Sequence, residues 1–238
     1  MAAPERFVKR APPAQLAAEV NGLRWLAAAE AVAVVEVLDL RDDRLELAFV
    51  GSRAPSTSQA EAFGRDLADL HAAGAPSFGA PWPGFIGPLP MANDPADSFV
   101  EFYVDRRVLP FLAAARDRGA VSAEQAAVIE AACRRAEAPA EPPSRIHGDL
   151  WHGNVLWPDR ACLIDPAAHG GHRETDLAML ALFGAPHLDR ILAAYDEHRP
   201  LSPGWPERVG FHQLHPLLVH AVVFGAPYGA RAAAAARH

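Results

Sequence analysis

The chain has almost no lysine. Among its 22 basic residues Lys9 is the single one, and the rest are arginine. A composition this rich in arginine, alanine and proline has exchanged lysine wherever chemistry permits, so the survivor draws notice. Cysteine is nearly absent too. Cys133 and Cys162 alone cannot build a secreted disulfide scaffold, and a reducing cytoplasm is the expected compartment. No apolar run reaches the roughly 18–20 residues of a membrane helix, since Glu30, Glu36 and Asp39 interrupt the best stretch, Leu26 to Leu40. The N-terminal residues lack the apolar core of a signal peptide. Basic residues are outnumbered by 29 acidic ones, for a net charge of −7, which argues against a general nucleic-acid binder. It leaves room for a small phosphorylated ligand bridged to carboxylates by a metal ion.

The 238 residues suffice for a sizeable core without staples. A short strand at Arg6–Lys9 is expected, then a helix from Pro12-Pro13 to about Glu30 with apolar residues at helical spacing. Val32–Leu38 and Leu45–Val50 read as strands around a polar turn. A helix capped near Ser56 follows. Residues 74–97 read as a long ordered loop, because Trp82, Phe85 and Ile86 would not stay solvated. Helices are expected over Ser98–Arg118, Ser122–Glu137, Thr175–Phe183, Leu188–His198 and Pro206–Phe224, with a fraying alanine-rich tail. The sparse apolar content near Gly51 marks a boundary between a small unit, 1–51, and a larger one, 52–238.

One block carries chemistry. Val155-Leu156-Trp157 and Cys162-Leu163-Ile164 should pair as a hairpin. That pairing brings Asn154, just before the first strand, beside Asp165, just after the second, with Asp149 in the incoming loop. Asn154 and Asp165 offer hard oxygen ligands suited to Mg2+. Asp149 is then free to take a proton from an attacking hydroxyl, the division of labour that phosphoryl transfer needs. The spacing H-x-D-x-x-x-x-N, followed by a strand and an Asp, matches a kinase catalytic loop, with His147 holding the loop in shape. Lys9 gains a role from this: a kinase uses a strand lysine on the phosphates and a helix glutamate to hold it, and Glu19 lies on the next helix.

The strings HGDLWHGNVLW and LIDPAAHGGHRETDLAMLALFG closely resemble the fructosamine kinase (ketosamine-3-kinase) family. FVKR, EVNGLRWL, LADLHA, FGAPWPGFIG, RRVLPFL and PLLVHAVVFGAPYG extend the likeness over nearly the whole chain. The resemblance implies an α+β, protein-kinase-like and aminoglycoside-phosphotransferase-like fold of two lobes, with a truncated N-lobe sheet and a mostly helical C-lobe. It implies ATP- and Mg2+-dependent phosphorylation of the 3-hydroxyl of a sugar bonded to an amine, a step linked to deglycation. Carried onto this chain, Asp149 is the catalytic base, Asn154 and Asp165 hold the metal, and Lys9 and Glu19 anchor the phosphates. Trp151 is placed to stack on the substrate sugar. His172, Arg173 and Glu174 face the acceptor pocket or brace the loop, and Asp176 supports the catalytic loop.

Two departures from the family stand out. No glycine-rich strand pair precedes the Lys9 strand. The expectation is therefore weak ATP affinity, or a homodimer covering an open N-lobe edge. His169-Gly170 replaces a pair of tyrosines, a change expected to bear on acceptor choice. The alternatives are a kinase for another hydroxylated amine, aminoglycoside- or choline-like, and a catalytically impaired kinase-like binding module.

Overall fold

The computed structural model describes residues 5–237. The N-terminal unit begins with β1 (Arg6–Arg10), α1 (Pro13–Ala27), β2 (Ala33–Val34), β3 (Val37–Arg41) and β4 (Arg44–Ala48). Pro13 opens α1 at the first helical position, where its missing N–H costs nothing. Strands β3 and β4 close over the two-residue turn Asp42-Asp43, and the sheet order is β1-β4-β3, antiparallel throughout. Leu16, Val20 and Leu23 of α1 pack on Leu45, Leu47 and Val35 to form a small core of their own. β1 is an outer strand of this sheet among the described residues, and its Phe7 and Val8 are exposed.

The apolar run 32–38, expected as one strand, serves two sheets. Ala33–Val34 pairs in parallel with Cys162–Leu163, and the chain then changes partner at Val35-Glu36 so that Val37–Arg41 pairs with β4. A segment from before residue 52 thereby joins the hairpin that carries Asn154 and Asp165.

The larger unit is mainly helical. α2 (Thr57–Ala72) starts with a reciprocal cap between Ser56 and Gln59 and buries Phe63, Leu67 and Leu70. It packs closely on α7 (Leu188–His198), where Gly64 faces the Ile191 carbonyl. The 74–97 stretch is ordered, and it also contains a small hairpin, β5 (Gly84–Ile86) with β6 (Leu89–Met91), turning at Gly87-Pro88. Next come α3 (Phe99–Tyr103), a π-helical turn over Val104–Val108, α4 (Leu109–Asp117) and α5 (Ala123–Arg135). The strands β7 (Ser144–Ile146), β8 (Val155–Leu156), β9 (Cys162–Leu163) and β10 (His169–Gly171) frame the block singled out above.

The C-terminal third holds α6 (Arg173–Phe183), α7, α8 (Trp205–His212), α9 (Leu214–Phe224) and α10 (Ala226–Ala235). The single helix expected over 206–224 is broken at Gln213. Pro216 in the first turn of α9 supplies no N–H and would clash with the carbonyl of residue 212 in a continuous helix. The Tyr103 hydroxyl donates to that freed His212 carbonyl at 2.6 Å. The tail does not fray as expected. Alanine is the best helix former, and Gly229 together with buried Ala232 and Ala233 lets α10 sit directly against the Ala120 carbonyl and the neighbouring helices.

Candidate active site

The loop from β7 to β8 is held from behind. Gly148 has φ +80°, and a Cβ there would meet the Ala167 carbonyl, so only glycine fits. His147 is fully buried, donates from Nε2 to the Ile164 carbonyl at 2.9 Å and accepts the Asp149 N–H at Nδ1. Burial pushes its pKa down, so the ring is neutral and this one tautomer serves both bonds. The buried carboxylate of Asp176, on α6, accepts the backbone N–H groups of His147 at 2.7 Å and Gly148 at 2.9 Å. It also takes a bond from His71 Nε2 at 3.2 Å, and His71 Nδ1 in turn meets the Tyr195 hydroxyl at 2.8 Å. Burial works against the Asp176 charge, but these donors outweigh it and hold its pKa below the usual carboxylate value. Sequence reasoning assigned Asp176 to loop support; it did not find His71 and Tyr195, which stand behind it on distant helices.

At the front of the loop, Asn154 directs its amide nitrogen to the Asp149 carbonyl at 2.8 Å, the Asp149 carboxylate at 3.2 Å and the Asp165 carbonyl at 3.4 Å. Its amide oxygen is thereby the atom left to serve as a ligand. Asp165 lies just beyond β9 with φ +51°, a left-handed conformation that aspartate tolerates better than most residues. Its carboxylate is 2.8 Å from Lys9 Nζ, which lies 2.7 Å from Glu19. Burial opposes the Lys9 charge, but the two carboxylates outweigh it and raise its pKa above the ordinary value. The Asp149 carboxyl is perturbed as well. Burial raises its pKa to about 7, and the bond from Asn154 offsets only part of that.

Lys9, Glu19, Asp149, Asn154, Asp165 and Trp151 all line one cavity of about 350 Å³. Trp151 is 37% exposed, folded over Gly153, where any Cβ would collide with the indole. The structure does not bring His172, Arg173 and Glu174 to this cavity. β10 carries the chain inward before α6 begins, so His172 accepts the Glu174 N–H at the start of that helix. Arg173 forms two bonds with Glu141, and Glu174 is paired with Arg208. These residues brace α6. His172, Glu174 and His212 do come together with metal-like spacing. However, His172 Nδ1 already accepts a backbone N–H, which leaves the proton on Nε2 and no lone pair there for a cation. His169 and Gly170, on β10, are buried and do not line this cavity.

Asp149, the Lys9–Glu19 pair, Asn154 and Asp165 sit in an architecture shared with known phosphotransferases. A macrolide 2'-phosphotransferase from Brachybacterium faecium superposes with a TM-score of 0.60 over 98% of this chain and 84% of its own length, at 19% identity, a likeness of fold alone. The chain therefore has the protein-kinase-like fold of small-molecule phosphotransferases. A structure from Thermobifida fusca, named "putative fructosamine-3-kinase", superposes with a TM-score of 0.94 at 48% identity, covering 99% of this chain and 85% of that one. A probable ketoamine kinase of Thermus thermophilus is 35% identical over 218 residues, 91% of this chain and 79% of the relative. The fructosamine kinase profile matches residues 4–237, and the chain belongs to that family. It is a phosphotransferase acting on a sugar hydroxyl. No helix among the described residues is long and apolar enough to cross a membrane.

Proposed function

We propose that the protein transfers the γ-phosphoryl group of ATP to the 3-hydroxyl of a ketosamine, with Mg2+ held by Asn154 and Asp165. The observation that carries this reading is the gathering of Lys9, Glu19, Asp149, Asn154 and Asp165 around one cavity. The donor set fits the metal: a carboxylate and an amide oxygen are hard ligands, and the amide is turned by its own hydrogen bonds to present that oxygen. When bound, Mg2+ supplies charge neutralisation at the phosphates. Lys9, fixed by Glu19, offers its ammonium to the phosphate oxygens. Asp149 accepts the hydroxyl proton, and its raised pKa suits a base working near neutrality. On this reading residues 1–51 grip the phosphates and residues 52–238 bring the acceptor, in the ATP-supplied cytoplasm.

The test is ADP formation from ATP and Mg2+ with the fructose adduct of a primary amine. Turnover above that of Asp149→Asn supports the reading, and its absence refutes it. Asp165→Asn separates the metal from the base. Asparagine tolerates the left-handed backbone at this position and removes only the charge. Calorimetry with Mg2+ present is expected to show at least a tenfold loss of nucleotide affinity, about 1.4 kcal/mol or more.

A further inference from the structure

Asp149 lines two cavities. The first is the polar one described above. The second, of about 380 Å³, shares Ile86, Gly87, Asp149 and Trp151 with it. Its other walls are strongly apolar: Met179 and Phe183 from α6, then Val219, Val223 and Phe224 from α9. Phe224 and Val223 are 63% and 47% exposed, an open apolar rim. No lysine or arginine lines this space. His215 and His220 do, but burial pushes both below the usual histidine value, and they are neutral at pH 7. Arg231, on α10, lies over the Phe183 and Tyr228 rings and does not line the cavity. Asp149 is thus the one acidic residue on its walls.

We propose that this second cavity receives the substituent on the amine of the ketosamine, and that it selects alkyl and aryl amines over amines bearing a carboxylate. The proposal rests on the phosphoryl-transfer reading above and adds the class of amine to it. In a ketosamine the amine is attached to the carbon beside the carbonyl, and the accepting hydroxyl lies on the carbonyl's other side. The amine is therefore only a few bonds from the reacting oxygen. With that oxygen at Asp149 and the phosphates on the Lys9 side, the substituent is directed into the neighbouring space. The ammonium meets the Asp149 carboxylate and the Trp151 indole, both favourable to a cation. A carbon chain beyond it meets apolar walls, a gain of about fourfold in binding per buried methylene. A carboxylate there would lose its hydration, find no lysine or arginine on the walls, and face Asp149.

The test compares initial rates of ADP formation, at limiting acceptor, for the fructose adducts of glycine, butylamine and benzylamine. The butyl and benzyl adducts are expected to exceed the glycine adduct in kcat/KM by at least about tenfold. Val223→Arg places a cation on the exposed rim and is expected to narrow that ratio several-fold, through better use of the glycine adduct. Equal use of all three adducts by the native protein overturns the proposal and leaves the kinase reading intact. So does an unchanged ratio in Val223→Arg. Absence of turnover with every adduct overturns both.

Discussion

Asp149→Asn is expected to keep nucleotide affinity within about twofold and to lose turnover by about 10²–10⁴-fold. The substitution preserves size and the contact with Asn154 while removing the proton acceptor. Lys9, Glu19, Asn154 and Asp165, to which the proposed function assigns the nucleotide, are untouched. Calorimetry and single-turnover rates measured on the same preparation separate the two effects. Equal losses in both would show that Asp149 belongs to the nucleotide site instead. The pH dependence gives an independent check. The base works deprotonated, so turnover in the native protein should rise with pH through about 7, the value to which burial raises Asp149. That limb should vanish in the variant. Stability moves the other way. A folded-state pKa raised above the unfolded value of 3.8 gives a contribution that is present below 3.8 and lost as pH rises through about 7. Asp149→Asn removes that loss. Its melting temperature should gain on the native protein as pH rises across the same window, the signature of a group retained for chemistry at a cost in stability.

Asp176→Ala is expected to lower the free energy of unfolding by about 3–5 kcal/mol, read as a lower midpoint in urea. The side chain is 1% exposed and accepts from two backbone N–H groups and from His71. Alanine would leave all three donors buried without an acceptor, and each stranded group carries its own desolvation penalty. Because those N–H groups belong to His147 and Gly148, the loss falls on the loop that presents Asp149. Turnover of the fraction that remains folded should also drop. A midpoint unchanged by the substitution would show that the loop is held by other means, chiefly His147 through the Ile164 carbonyl.

The chemistry was legible because it is local. Asp149, Asn154 and Asp165 lie within one short block, and pairing two apolar triplets is enough to bring them together. Lys9 was legible through composition, as the single survivor of its type, and Glu19 through its place on the following helix. What escaped was whatever depends on partners far along the chain. Nothing in Val32–Leu38 tells where one sheet ends and the next begins, since parallel pairing with β9 is a tertiary choice. The alanine-rich tail has the composition of a frayed end. Its smallness proves to be its function, because it allows two helices and a carbonyl to approach closely. His172, Arg173 and Glu174 follow a metal-type aspartate in sequence, but β10 turns them away from the cavity. The second cavity was hidden for a related reason. Met179, Phe183, Val219 and Phe224 are indistinguishable in sequence from core residues, and only the fold shows that they face an opening beside Asp149.

The parallel pair of Ala33–Val34 with Cys162–Leu163 ties the two halves of the molecule together next to the reaction centre. Lys9 belongs to the half that supplies β2, and Asp165 follows β9 by two residues. A jaw-like opening that pulled the ammonium away from the carboxylate would have to unzip those bonds, including that from the Val35 N–H to the Leu163 carbonyl at 3.0 Å. The spacing of the charged groups is therefore set during folding, before any ligand arrives, and binding is spared the entropy of assembling them.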